Sequence, residues 1–452
     1  MKKLTALFAG ALMMVGISGI ANAATCELNI FGASAQYTFW KAAAQQWLLD
    51  TSALGAKCAS VDSSRTCSDT AGKNGVATGT GCNPAGAPSC TEIIVRFSSK
   101  NSCAGLQAVT GSAADGCADP RQRQMANETT CSGGILSGLT CKTVTDGCSD
   151  VEASSLVQAT AGQKYGPLGG SYQTPGPCGV TIPGTYSVHK SFVVPFGFFA
   201  NTAVTQSRCV GGTRDDEKCT NSSHCPGGTC TPGLQLKDLS RLEAILIFTG
   251  QLWNWSDLGP SFVNLPMEVC HRHSGSGTLA TLVNAVLHPA WGGNLPGFES
   301  KGCGGDATIW FNDGSSDMMK CINGAGTAAN NCDGVARSDG HGGYGRIGYA
   351  DADQGNLTFT YGPIKYNGYK PYRHNIREGL YDNFWSYQTC YDNIPAGTGA
   401  KVIDQLLFDW SKTNVPTAKA EWWTPPCEMI VKKDSDRTYP YYTTPTCTPP
   451  EP

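Results

Sequence analysis

A strand, a glycine-bearing loop and a helix follow one another twice in this chain. That alternation limits it to α/β folds in which loops at strand ends meet helix starts. The first instance is a short strand from Cys26 to Phe31 and the loop Gly32-Ala33-Ser34-Ala35-Gln36-Tyr37. A helix follows, with Trp40, Ala43, Ala44, Trp47 and Leu48 on one face. The second instance is an apolar strand from Leu265 to Val269 and the loop Arg272-His273-Ser274-Gly275-Ser276-Gly277-Thr278. Leu279, Leu282, Val283, Val286 and Leu287 then fall at the spacing of one buried helix face. The first N–H groups of a helix have no partner within it. Glycines and small hydroxyl residues let an anion approach them closely, and Arg272 adds a planar fork of donors suited to an oxyanion. The second loop therefore reads as a grip on a small tetrahedral anion. The plainer alternative is an N-cap at Ser276 or Thr278 among ordinary turn glycines.

The N-terminus points to export. Lys2 and Lys3 precede an apolar run from Leu4 to Ile20, and Ala21-Asn22-Ala23 supplies a cleavage signal. Residues 1–24 are thus expected to be a signal peptide cut near Ala23, leaving a periplasmic or extracellular protein with no membrane insertion. The 22 cysteines are even in number, as a disulfide framework in an oxidising compartment requires. The formal charge of −3 becomes −5 without Lys2 and Lys3, which argues against a nucleic-acid partner. Cysteine-punctuated polar stretches at about 51–90, 111–145 and 205–232 read as insertions. The last holds Cys209, Cys219, Cys225 and Cys230, which suit zinc or two disulfides, and export favours disulfides. His271 and His273 share a face, but no third zinc ligand at a diagnostic spacing accompanies them. No cofactor is expected.

Ile93-Ile94-Val95 reads as a strand, and Ser102-Cys103-Ala104-Gly105 leads into a short helix. Phe192 to Asn201 reads as a buried strand pair or a strand with a turn. Gln235 to Phe248 is expected to be helical, with Leu236, Leu239, Leu242 and Leu246 facing inward. Val402, Ile403, Leu406, Leu407 and Trp410 mark another amphipathic helix. Trp422, Trp423, Tyr439, Tyr441 and Tyr442 read as either an exposed contact strip or tail packing, with packing preferred.

These pieces, in this order, resemble the phosphate-binding proteins of bacterial ABC phosphate transporters. The first loop is similar to that family's first ligand loop, and Gly147-Cys148-Ser149-Asp150 to the loop ending in its ligand-binding aspartate. Ile247-Phe248-Thr249-Gly250 with Asn254-Trp255-Ser256-Asp257-Leu258 is similar to another family segment, and Arg272 to Thr278 to its arginine loop. Weaker likeness lies in Gly345 to Tyr349 and Asn375 to Tyr381. The resemblance implies a two-lobed periplasmic-binding-protein-like (type II) fold with the ligand cleft between lobes. Lobe one would be residues 25–191, lobe two 192–346, and 347–452 the second segment of lobe one with the tail.

Carried over by position, the resemblance implies phosphate contacts from Gln36, Tyr37, Ser102, Asp150, Arg272, Ser276, Gly277 and Thr278. Asp150 would accept the proton of hydrogen phosphate and reject proton-free sulfate. Gln36, Tyr37 and Ser274 stand where the family has threonine, phenylalanine and aspartate. These departures leave open a larger or differently protonated anion. The expected protein is a monomeric, non-enzymatic solute-binding protein that passes phosphate to an ABC permease. The alternatives are a secreted or surface-associated interaction protein and a phosphatase-like hydrolase, though neither a G-x-S-x-G elbow nor a Walker loop occurs in the mature chain.

Overall fold

The computed structural model describes residues 24–447 apart from 114, 161–166, 169, 170, 173–177, 273, 274, 288–308, 313 and 325–342. Its first strand, β1 (Ala24–Gly32), leads into α1 (Gln36–Leu49). An antiparallel pair follows, β2 (Asn74–Thr80) and β3 (Cys90–Ser99), then α2 (Ser102–Thr110) and β4 (Asp146–Ser149). β1 lies between β3 and β4 and runs parallel to both, with Leu28 opposite Val95 and Ile30 opposite Asp146. Parallel strands are covered on both faces, which is why Leu28, Ile30, Ile93 and Val95 are all fully buried.

One long strand, β5 (Ser187–Asn201), carries the chain onward. The second half contains α3 (Arg241–Phe248), β6 (Met267–Arg272), α4 (Gly277–Thr281), β7 (Ile309–Asn312) and α5 (Ser315–Ile322). It continues through β8 (Gly345–Asp351) and β9 (Thr360–Tyr366). β10 (Trp385–Asp392) and α6 (Gly399–Ser411) then belong to the first half again. The sheet order is β7-β6-β8-β5-β10-β4-β1-β3-β2, extended by shorter strands. Ser187 to Pro195 pair with β10, and Phe196 to Ala200 with β8. The buried run expected over Phe192–Asn201 is therefore one strand shared by two half-sheets. This is a mixed α/β, two-lobed fold. β9 still pairs with β5 in the second half, so the chain re-enters the first half-sheet at β10, later than the expected residue 347.

Local rules explain one departure. The expected helix over Gln235–Phe248 begins only at Arg241, after strands at Thr229–Gln235 and Asp238–Leu239. Ser240 and Glu243 form a reciprocal capping box, which fixes that start. The buried face is then Ala244, Ile247 and Phe248, and Leu242 points outward at 65% exposure. In the tail, Trp423 is buried edge-on to Phe192 and Trp422 packs on Tyr372, whereas Tyr439, Tyr441 and Tyr442 are exposed. Tail packing thus accounts for two of the five aromatics.

Ten disulfides join the described cysteines. Cys209–Cys225 and Cys219–Cys230 close the small loop as two bridges, so these sulfurs carry no thiolate for zinc. Cys67–Cys131 ties the first cysteine-rich insertion to the second, and Cys117–Cys141 braces the second across its own hairpin. The first insertion also supplies β2, so it widens the sheet. No helix among the described residues is long and apolar enough to cross a membrane.

Candidate functional site

β6 ends at Arg272, whose side chain is fully buried. Its Nη1 donates to Thr278 Oγ1 at 3.2 Å and to Ser315 Oγ at 3.5 Å, and its Nε to the Asn312 carbonyl at 3.3 Å. The Arg272 backbone N–H donates to the Tyr349 hydroxyl, which also meets His271 Nδ1 at 3.1 Å. The guanidinium is thus oriented by β6, β7, the start of α4 and the start of α5. The Cys270–Cys321 bridge clamps the strand bearing Arg272 to the helix that begins at Ser315.

The other wall comes from the first half. Ser102 opens α2, and its Oγ accepts from Asp150 N at 3.0 Å and from Gly277 N at 3.1 Å. Thr278 Oγ1 donates to Asp150 Oδ2 at 3.4 Å, and the Cys103 N–H donates to the Gly275 carbonyl at 3.0 Å. Ser34 Oγ meets Ser315 Oγ at 3.4 Å. All of these contacts except the one between Asp150 N and Ser102 Oγ cross between the two halves. The approach needs glycine at 277, because a Cβ there would lie 2.2 Å from Ser102 Oγ and 2.8 Å from Asp150 Cβ. Two further disulfides back this wall, Cys103–Cys178 beside Ser102 and Cys148–Cys390 under Asp150.

Asp150 is fully buried, and its Oδ1 has no hydrogen-bond partner. Burial pushes its carboxyl up, Arg272 pulls it down and Asp351 pushes it up again, leaving it at about 7. Near neutrality it therefore either accepts or donates a proton bond. Burial also keeps His271 neutral, well below the usual histidine range. The site combines a guanidinium, hydroxyls, a backbone N–H and one switchable carboxyl. Such a set can hold a tetrahedral oxyanion with or without a proton.

Ser102, Asp150, Arg272, Gly277 and Thr278 are brought together. Ser276 adjoins them, but its Oγ caps α4 by accepting from Leu279 N at 3.3 Å. Gln36 is not joined to this group. α1 begins at Gln36 and turns it into the core, where Nε2 reaches the Ser98 carbonyl at 3.4 Å. Tyr37 instead lines a separate cavity next to Ser34 and Ser315. His273 and Ser274 lie outside the described residues. Sequence reasoning missed Ser34, Asn312, Ser315 and Tyr349. The run Gly314-Ser315-Ser316 after a strand is a readable signal for Ser315, since it repeats the small-residue helix start seen after Arg272.

No family model matches the chain. It is similar to the phosphate-binding protein PstS of Bacillus subtilis (strain 168), with 25% identity over 206 residues, 45% of this chain and 56% of that protein. The chain therefore spans little more than half the length of that curated relative. Among solved structures it is similar to a phosphate-binding protein from Stenotrophomonas maltophilia, at 13% identity and a TM-score of 0.38, covering 91% of this chain and 92% of the other. An ABC-type phosphate transport receptor from Vibrio cholerae matches at 14% identity and a TM-score of 0.29, over 50% of this chain and 68% of that one. The resemblance read from the motifs and the curated relative agree.

Proposed function

We propose that this chain is an exported solute-binding protein that captures a phosphate-type oxyanion between its lobes for an ABC importer, without turnover. The observation that carries the reading is the buried Arg272 guanidinium joined through Thr278 to Asp150 on the opposite half. An entering oxyanion would take over the bonds that Ser102, Gly277, Thr278 and Arg272 now make with one another. Closure by hinge motion about the shared strand β5 follows from the same reading. Lobe two on this view runs from Phe196 to the end of β9, and the chain acts as a monomer.

Calorimetric titration of the oxidised protein with inorganic phosphate, with sulfate as control, tests the proposal. Phosphate should bind at neutral pH, and Arg272→Ala should lose ~2–5 kcal/mol of binding, the usual cost of removing one partner of a buried charge contact. Unchanged phosphate affinity in Arg272→Ala would overturn this assignment of the site.

A further inference from the structure

A cavity of about 450 Å³ opens beside the Arg272 site. Ser315 belongs to both, since it lines the cavity and accepts from Arg272, and Ser34, which meets Ser315, lines the cavity too. The two cysteine-rich insertions contribute Lys73 and Arg123 to its lining, together with Phe31 and Tyr37. Lys100 also lines it but is paired with Asp115 at 2.5 Å.

Arg123 is the telling group. It is 1% exposed and stacks its guanidinium 5.8 Å from the Phe31 ring centroid. Nη1 donates to the Pro120 and Gln122 carbonyls and Nη2 to the Ala113 carbonyl. Nε is buried with no hydrogen-bond partner, and neither Arg123 nor Lys73 has a carboxylate ion pair among the described residues. Its hydrogen bonds go only to neutral carbonyls, and the nearby Asp115 carboxylate, which also lines the cavity, is shared with Lys100, so this buried cation retains part of its desolvation cost. An anion in the cavity would offset it.

Inorganic phosphate on Arg272 would leave this cavity and both cations unused. We propose that the ligand is a phosphate monoester whose substituent carries a second anionic group, with the phosphoryl group at Arg272 and the second acid at Arg123 and Lys73. The inference rests on the oxyanion reading of the Arg272 site. Asp150 suits such a ligand as well, because its neutral form can donate to an ester phosphate that brings no proton.

Titration calorimetry on the oxidised full-length mature protein tests this with three probes: inorganic phosphate, glycerol phosphate and phosphoglycerate. The two esters differ in that one carries a carboxylate. Phosphoglycerate should bind at least about tenfold more tightly than glycerol phosphate, the scale of one charge-assisted contact. That preference should disappear in Arg123→Gln and in Lys73→Ala. Lys73 is only half-buried, so its variant reports on the cavity even if Arg123→Gln does not fold. Equal affinity for the two esters, or two phosphates binding independently to one chain, would overturn the linked ligand while the oxyanion reading stands. Silence for all three probes would remove both.

Discussion

Two arginines in the first half of this protein are equally buried and differently used. Arg96, at 0% exposure, is held by Glu27 at 2.9 Å and Glu128 at 2.5 Å, by Asn29 and by the Ala126 carbonyl. Every part of its charge is met from within the fold. Against the upward push of burial, Arg96 and Lys142 hold the Glu27 carboxyl below its usual range. Arg123, at 1% exposure, has three backbone carbonyls and an unmet Nε beside a cavity. A buried charge that is neutralised internally secures structure. One left facing a cavity holds its field for something that enters.

The comparison breaks most readily on stability. Arg96→Met would strand two carboxylates, and losing one partner of a buried pair costs ~3–5 kcal/mol. Lys142 stays 3.1 Å from Glu27 and Arg65 3.9 Å from Glu128, so a loss of about 3 kcal/mol is expected. Arg123→Met frees three carbonyls but also removes a buried cation that has no direct carboxylate partner among the described residues, so its cost should stay within about 1.5 kcal/mol. Urea unfolding of the two variants measures both. Equal losses would mean that Arg123 is as structural as Arg96.

A smaller effect tests whether the two halves work only when pressed together. Gly277→Ala puts a methyl where Ser102 Oγ and Asp150 Cβ now lie within 2.8 Å. The halves would have to part at this contact, while the sheet that runs through both stays paired. Oxyanion affinity should fall at least about tenfold, ~1.4 kcal/mol, with little change in the unfolding midpoint. A drop in the midpoint without a loss of affinity would place Gly277 in folding rather than in the grip.

The division between groups used only within the fold and those gathered where the two halves meet was only partly legible in the sequence. Arg272, Gly277 and Thr278 announce themselves because a buried strand must stop before a small-residue loop can open a helix there. Only the apolar part of β5, from Phe192, was legible; its polar start at Ser187, His189, Lys190 and Ser191 and its continuity were not. Gln36, the first residue of α1, turns into the core toward the Ser98 carbonyl, while Ser34 in the preceding loop meets Ser315 across the halves. Leu242 was misplaced although the capping box at Ser240 and Glu243 was readable. Arg123 could not be found at all. Its burial depends on how Cys67–Cys131 and Cys117–Cys141 fold two polar insertions onto Phe31, and no local periodicity encodes that.

Carboxylates divide as the arginines do, and this gives the finest test. Glu27 is held down by its cations, whereas burial lifts Asp150 to about 7 despite Arg272. The sign follows from that value. Below pH 7 the neutral Asp150 carboxyl donates and tolerates a fully ionised anion; above it the carboxylate repels sulfate but still accepts the proton of hydrogen phosphate. The neutral fraction falls from about nine-tenths at pH 6 to about one-tenth at pH 8, so sulfate affinity should fall roughly tenfold across that range. Phosphate affinity should change less, because phosphate keeps a proton to offer. Asp351 is also pushed up by burial and by its neighbour Asp353, so Asp150→Asn is needed to separate the two. In that variant the sulfate response should flatten, since the amide can donate at any pH. A slope that survives Asp150→Asn would assign the switch to Asp351 and leave Asp150, like Glu27, a structural carboxyl.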